Sequence, residues 1–133
     1  MTDPRFVGRR YESAPFDVTE ASIRGFMQAV GDLAEDGQLV APPTYAMVYG
    51  SGPMWQLWSD QEVALDVAHL VHAEQTFHFH RPVQAGDRIT SEGRITAINE
   101  RAGMEFVTFE LAASDLAGRP VSAATALFVI RKP

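Results

Sequence analysis

The 133-residue chain contains no cysteine, so no disulfide framework is available to it and nothing in its thiol content points to export. It has no run of about 18 or more apolar residues, which excludes a membrane-spanning helix. It also has no surplus of positive charge. Eleven basic against seventeen acidic residues leave a net charge of −6, which argues against nucleic acid as a broad-surface partner. The opening stretch, MTDPRFVGRR, lacks the apolar segment of a secretory signal, and the expected location is the cytoplasm. Internal repeats, low-complexity tracts and inter-domain linkers are absent, so residues 1–133 read as one domain. What remains is ordinary globular material, 46% apolar and 21% charged, and long enough to bury its own core.

The pattern is most informative from His72 to Asp87. His72, Glu74, Thr76, His78 and His80 alternate with Phe77 and Phe79, the two-residue period of a strand, and Pro82 then ends ladder pairing. Three further runs read as sheet: Arg88 to Asn99, Met104 to Ser114 and Val121 to Arg131. The turns between them, at Asn99 to Gly103 and Asp115 to Arg119, have hairpin chemistry and predict an antiparallel meander.

Before the sheet come helices. Thr19 is a natural N-cap, Val18 and Ile23 occupy staple positions, Ile23, Phe26, Met27 and Val30 form an apolar stripe, and Gly31 fits the C′ position. After a polar loop from Asp32 to Val40, Pro42-Pro43-Thr44 opens a second helix. From Tyr45 to Trp58 it is apolar nearly all round and is expected to be wrapped by protein, with a kink or interruption at Gly50-Ser51-Gly52-Pro53. Ser51 lacks the preceding strand and outer glycines of a nucleophile elbow. A short lead-in strand within Arg5 to Glu12 and a turn of helix within Leu65 to Leu70 complete the order. One architecture accommodates it: an α+β hot-dog fold, a curved antiparallel sheet wrapped around one long buried helix, with sheet edges that invite a second chain.

The same residues carry a family likeness. Ala29-Val30-Gly31-Asp32, Val40-Ala41-Pro42-Pro43-Thr44, Leu65-Asp66-Val67, His72-Ala73-Glu74-Gln75-Thr76-Phe77, His80-Arg81-Pro82 and Gly86-Asp87 together resemble the MaoC-like dehydratases. Within that family the chain is similar to the N-terminal-type domains related to the dehydratase domain of fungal fatty-acid synthase. The resemblance implies a hot-dog protein acting on acyl thioesters of coenzyme A or acyl carrier protein, without cofactor or metal. Its chemistry would be hydration of a 2-enoyl thioester, or dehydration of an (R)-3-hydroxyacyl thioester. The family's active members carry Asp-x-Asn-Pro-x-His after the first helix, and a backbone amide at the start of the buried helix binds the thioester oxygen. Here Asp32 matches the aspartate, but the histidine position is Gly37. Family chains lacking that histidine are commonly partner subunits, which implies a homodimer or a heterodimer with a catalytic hot-dog chain. On this reading Thr44, Tyr45, Met47, Trp55 and Arg81 bind substrate, and Arg81, Arg88, Arg94 and Arg101 are candidate phosphate contacts.

Two other readings of the histidines stay open from sequence. His72 or His80 with Glu74 offers a relocated acid–base pair for a self-sufficient hydratase or thioesterase. His72, His78 and His80 on one strand face offer two or three imidazoles to zinc or iron, against the simpler role of lining a ligand or a dimer seam. A non-enzymatic acyl-thioester binding protein is the third alternative.

Overall fold

The computed structural model describes residues 1–31 and 39–131, so Asp32 and Gly37 lie outside the described residues. After a short 3-10 turn at Pro4–Phe6, the chain forms β1 (Arg10–Glu12), β2 (Phe16–Asp17) and α1 (Glu20–Ala29). A 3-10 turn at Pro43–Tyr45 leads into α2 (Ala46–Gly50) and α3 (Gly52–Ser59). Another at Val67–His69 precedes β3 (Leu70–Phe79), β4 (Arg88–Arg101), β5 (Met104–Asp115) and β6 (Pro120–Arg131). The strands form one antiparallel sheet in the order β1-β4-β5-β6-β3, with β2 also on β4. This is the α+β hot-dog arrangement expected from the element order. Among the described residues, no helix is long and apolar enough to cross a membrane.

Local signals account for the ends of these elements. Thr19 Oγ1 accepts the Ser22 amide at 3.1 Å and caps α1, while Val18 and Ile23 meet in one buried cluster. Gly31 follows with φ of 76°, as a C′ residue requires. The β4–β5 hairpin closes on Ala102 and Gly103, both with positive φ, the geometry that matches strand twist.

The buried helix is interrupted where the sequence predicts: it is broken into α2 and α3 at Ser51, with Pro53 in the first turn of α3, because the proline ring and missing amide end the ladder there. It departs from expectation in not being wrapped on every side, since Trp55 is 61% exposed and packs edge-on against Trp58. The inner faces of β4, β5 and β6 present Ile95, Val107, Phe109 and Phe128 to Met54 and Leu57 of α3. A second cluster joins Ile23 and Met27 of α1 to Tyr45, Tyr49, Val83 and Ile89.

A second departure lies in β3. Its pairing with β6 shifts between His72 and Glu74, so Ala73 is the extra residue of a β-bulge. His72 lies opposite Phe128 and packs its ring on it at 5.1 Å, on the inner face. Beyond the bulge Gln75, Phe77 and Phe79 face inward, opposite Ala126, Ala124 and Ser122, while Glu74, Thr76 and His78 face outward. The five-residue polar row read from sequence is therefore split, because one inserted residue reverses the strand's phase.

Helix and sheet meet tightly at Gly93 on β4. A Cβ there would lie 2.8 Å from Pro53 Cβ and nearer still to the Phe109 ring. Gly93→Ala is expected to cost about 1–3 kcal/mol by overpacking, read from the urea unfolding midpoint. An unchanged midpoint would mean that the contact has slack.

The start of the sheet is tied to the end of α3 through Asp60. Tyr11 Oη donates to Asp60 Oδ2 at 2.7 Å, Arg9 Nε lies 2.9 Å from the same oxygen, and the Glu62 amide reaches Oδ1 at 3.0 Å. Burial opposes ionisation of this carboxyl, but the bonds from Tyr11, Glu62 and Val63 and the Arg9 charge outweigh it and hold its pKa below the usual 3.8. The stability contributed is thus present above the unfolded value and lost as pH falls through the lower folded one. Asp60→Asn is expected to flatten that acid limb when unfolding is followed between about pH 2 and 5. Tyr11→Phe is expected to cost about 1.5–3 kcal/mol near neutral pH, where the carboxylate is charged.

Candidate functional site

The corner after β3 is built by hydrogen bonds that sequence alone only hints at. The His80 amide donates to the Val121 carbonyl at 2.9 Å, after which Pro82 has no amide to continue pairing. Arg81 turns back and donates to Asp87 Oδ2 at 2.9 Å and to the Pro82 carbonyl at 3.0 Å, with Asp115 3.9 Å away. Asp87 also accepts the Gln84 amide at 2.9 Å, so the turn is held from two sides. Asp115 is itself pinned: the Arg119 amide leads the interactions that keep its carboxyl below the usual range.

Opposite this corner runs the lead-in to α2. The Ala41 amide donates to the Val83 carbonyl at 2.7 Å, and Val40 bridges Gln84. Between the two segments lies an open groove of about 470 Å³, walled by Pro42, Pro43, Phe79, His80, Arg81 and Val83, with Tyr49 also on its lining. Its character is apolar with a few convergent polar groups, the usual make-up of a small-molecule site. A hollow on the sheet's outer side, lined by Arg10, Glu92, Arg94 and Glu110, is instead crossed by the ion pairs Arg10–Glu92 and Arg94–Glu110.

Of the residues expected to act, the structure brings His80 and Arg81 to the groove. His72 is on the far side of the bulge, bonded through Nε2 to Gln75 Oε1 at 2.9 Å, and Glu74 faces the opposite way. No His72–Glu74 pair forms. His78 and His80 stack edge-on at 4.9 Å, but among the described residues no three His, Asp or Glu side chains converge as a metal ion would need.

The start of the helix also differs from expectation. Tyr45 is fully buried, its hydroxyl 2.7 Å from Ser22 Oγ and its ring in contact with Phe16, Phe26 and Tyr49. Its amide donates to the Pro42 carbonyl at 2.9 Å within a 3-10 turn and is not open to a ligand. Thr44 is exposed beside it. Met47 is half-buried against the core, and Trp55 lies on the outward side of α3. The arginines other than Arg81 do not join the groove, and Arg88 pairs with Asp17 at 2.6 Å.

Tyr49 lies in the apolar run of the helix sequence and is a polar group that the sequence pattern does not single out. Only 4% exposed, it places its hydroxyl 2.7 Å from Ser122 Oγ on β6. Burial pushes its phenol up, against the Ser122 hydrogen bond and the charge of Arg81, so it is a protonated donor at neutral pH. No sequence signal links residues so far apart. The one hint was a tyrosine where the helix stripe required only an apolar ring.

Residues 5–124 match the family model described as FAS1-like, dehydratase domain region. The UPF0336 protein of Thermobifida fusca is 34% identical over 139 residues, covering 95% of this chain and 91% of its own length. Among solved structures, a chain of the C-terminally truncated HadBC (3R-hydroxyacyl-ACP dehydratase) complex of Mycobacterium tuberculosis superposes with a TM-score of 0.80 at 23% identity. That match covers 93% of this chain and 96% of the other. A MaoC-like dehydratase superposes with a TM-score of 0.75 at 25% identity, over 96% of this chain and 42% of that longer one. The chain belongs to the FAS1-like dehydratase-region family of MaoC-like hot-dog proteins.

Proposed function

We propose that this chain is the substrate-binding partner subunit of an (R)-3-hydroxyacyl thioester dehydratase, equally an enoyl thioester hydratase, and that its ligands are acyl-CoA or acyl carrier protein thioesters. The observation that carries this reading is Gly37 at the position of the motif histidine. Water addition and removal need a group that takes and returns a proton near neutral pH, and glycine has none. His80 does not replace it, because among the described residues it has no carboxylate to orient it, only the ring of His78.

The groove suits the binding half of the task. Its prolines, Val83 and Phe79 offer apolar surface to an acyl chain, while Arg81 and His80 stand at one wall where a phosphate-bearing arm would pass. The ten-residue β3 is an edge strand, paired on one side only among the described residues, and such an edge calls for cover. That the HadBC protein is a complex of dehydratase chains supports a sister chain in that place.

Purified alone, the protein is expected to hydrate crotonyl-CoA no faster than buffer, yet to bind butyryl-CoA in a calorimetric titration. Co-purified with a hot-dog chain carrying Asp-x-Asn-Pro-x-His, it is expected to give turnover in the enzymatic range of about 1–1000 per second. Such turnover by the isolated chain would defeat the partner-subunit reading.

A further inference from the structure

The Tyr49–Ser122 pair holds one proton more than its own bond uses. Two hydroxyls bring two donor protons, and the 2.7 Å contact between them consumes one. Among the described residues neither side-chain hydroxyl makes another hydrogen bond. Both residues are more than nine-tenths buried, at 4% and 6% exposure, where a donor without an acceptor is costly. The void beside the pair, toward Ser91 and Leu111, measures about 10 Å³, at the lower limit for one water. The roomy side is the groove of about 470 Å³, which Tyr49 lines and Ser122 does not. Either hydroxyl can donate in that contact; when Ser122 donates to the phenol oxygen, the phenol proton is left for the groove.

We propose that the Tyr49 phenol, held by Ser122, is the hydrogen-bond donor for the carbonyl oxygen of an acyl thioester lying in the groove between Pro42-Pro43 and the end of β3. The inference rests on the groove being the acyl-thioester site and adds which atom of the ligand is fixed there, and by what. The requirements on the donor are met. Burial keeps the phenol protonated, Arg81 adds positive potential beside it, and the Ser122 bond sets its rotor. The apolar wall leaves few competing partners for a carbonyl oxygen, so a single donor at that depth discriminates between ligands that differ only in that oxygen.

The experiment compares butyryl-CoA with S-butyl-CoA, the thioether of equal chain length that lacks the carbonyl oxygen, by calorimetric titration of the whole chain. The wild type is expected to bind the thioester about tenfold more tightly, the worth of one buried hydrogen bond. Tyr49→Phe, which keeps the ring and removes only the hydroxyl, is expected to bind both at the thioether's affinity. Ser122→Ala is expected to keep a reduced preference, because the donor remains but loses its anchor. Circular dichroism confirms that each variant is folded. Equal affinity of the wild type for both ligands overturns the inference while leaving the groove as a coenzyme A thioester site. So does a preference unchanged in Tyr49→Phe. Binding of neither ligand overturns the inference and the groove reading together.

Discussion

The close approach of α3 to the sheet at Gly93 is the constraint on which the rest depends. With no side chain at that point, Pro53 and the Phe109 ring lie directly on the β4 backbone. Met54 and Leu57 of the same helix then join Ile95, Val107 and Phe128 in one buried cluster. Pro53 serves twice: it breaks the helix after Ser51 and provides the compact surface that fits against the missing Cβ. Because α2 and α3 are set at this point, Tyr49 is carried to within reach of β6, and Pro42-Pro43 are carried to the corner after β3.

Elements governed by neighbouring residues were legible in the sequence. The Thr19 cap, the Gly31 stop, the hairpins around Gly103 and Asp115 and the break before Pro53 each depend on chemistry within a few positions. Hence the fold class follows from the order of elements. The bulge at Ala73 was not legible, since the alternation of polar and apolar letters continues across it although the backbone phase does not. Nor does any letter announce that the Tyr45 amide is spent on a 3-10 bond, which arises because Pro42 and Pro43 tighten the first turn.

The candidate site was half legible. His80 and Arg81 could be picked out as polar residues beside a strand-ending proline, and the structure places both on the groove. Tyr49 could not, because its distinguishing property is a partner 73 residues away on another element. The groove itself is a product of two ties: the Ala41–Val83 hydrogen bond, which joins segments separated by the whole of α2, α3 and β3, and the Arg81–Asp87 pair, which holds the turn between β3 and β4. Such ties turn two proline-rich corners into opposing walls of fixed spacing.

The bulge also has a consequence for how this chain can diverge. Upstream of Ala73, the exposed His72 rests its ring on Phe128, while Leu70 packs inward against the core, so its replacement is limited by volume. Downstream, Glu74, Thr76 and His78 point away from it and are limited mainly by what lies outside. Between them Gln75, Phe77 and Phe79 still face inward, so the strand alternates in two frames joined at Ala73, the residue that absorbs the change. The outward positions can be exchanged to suit a new neighbour without disturbing the inward ones.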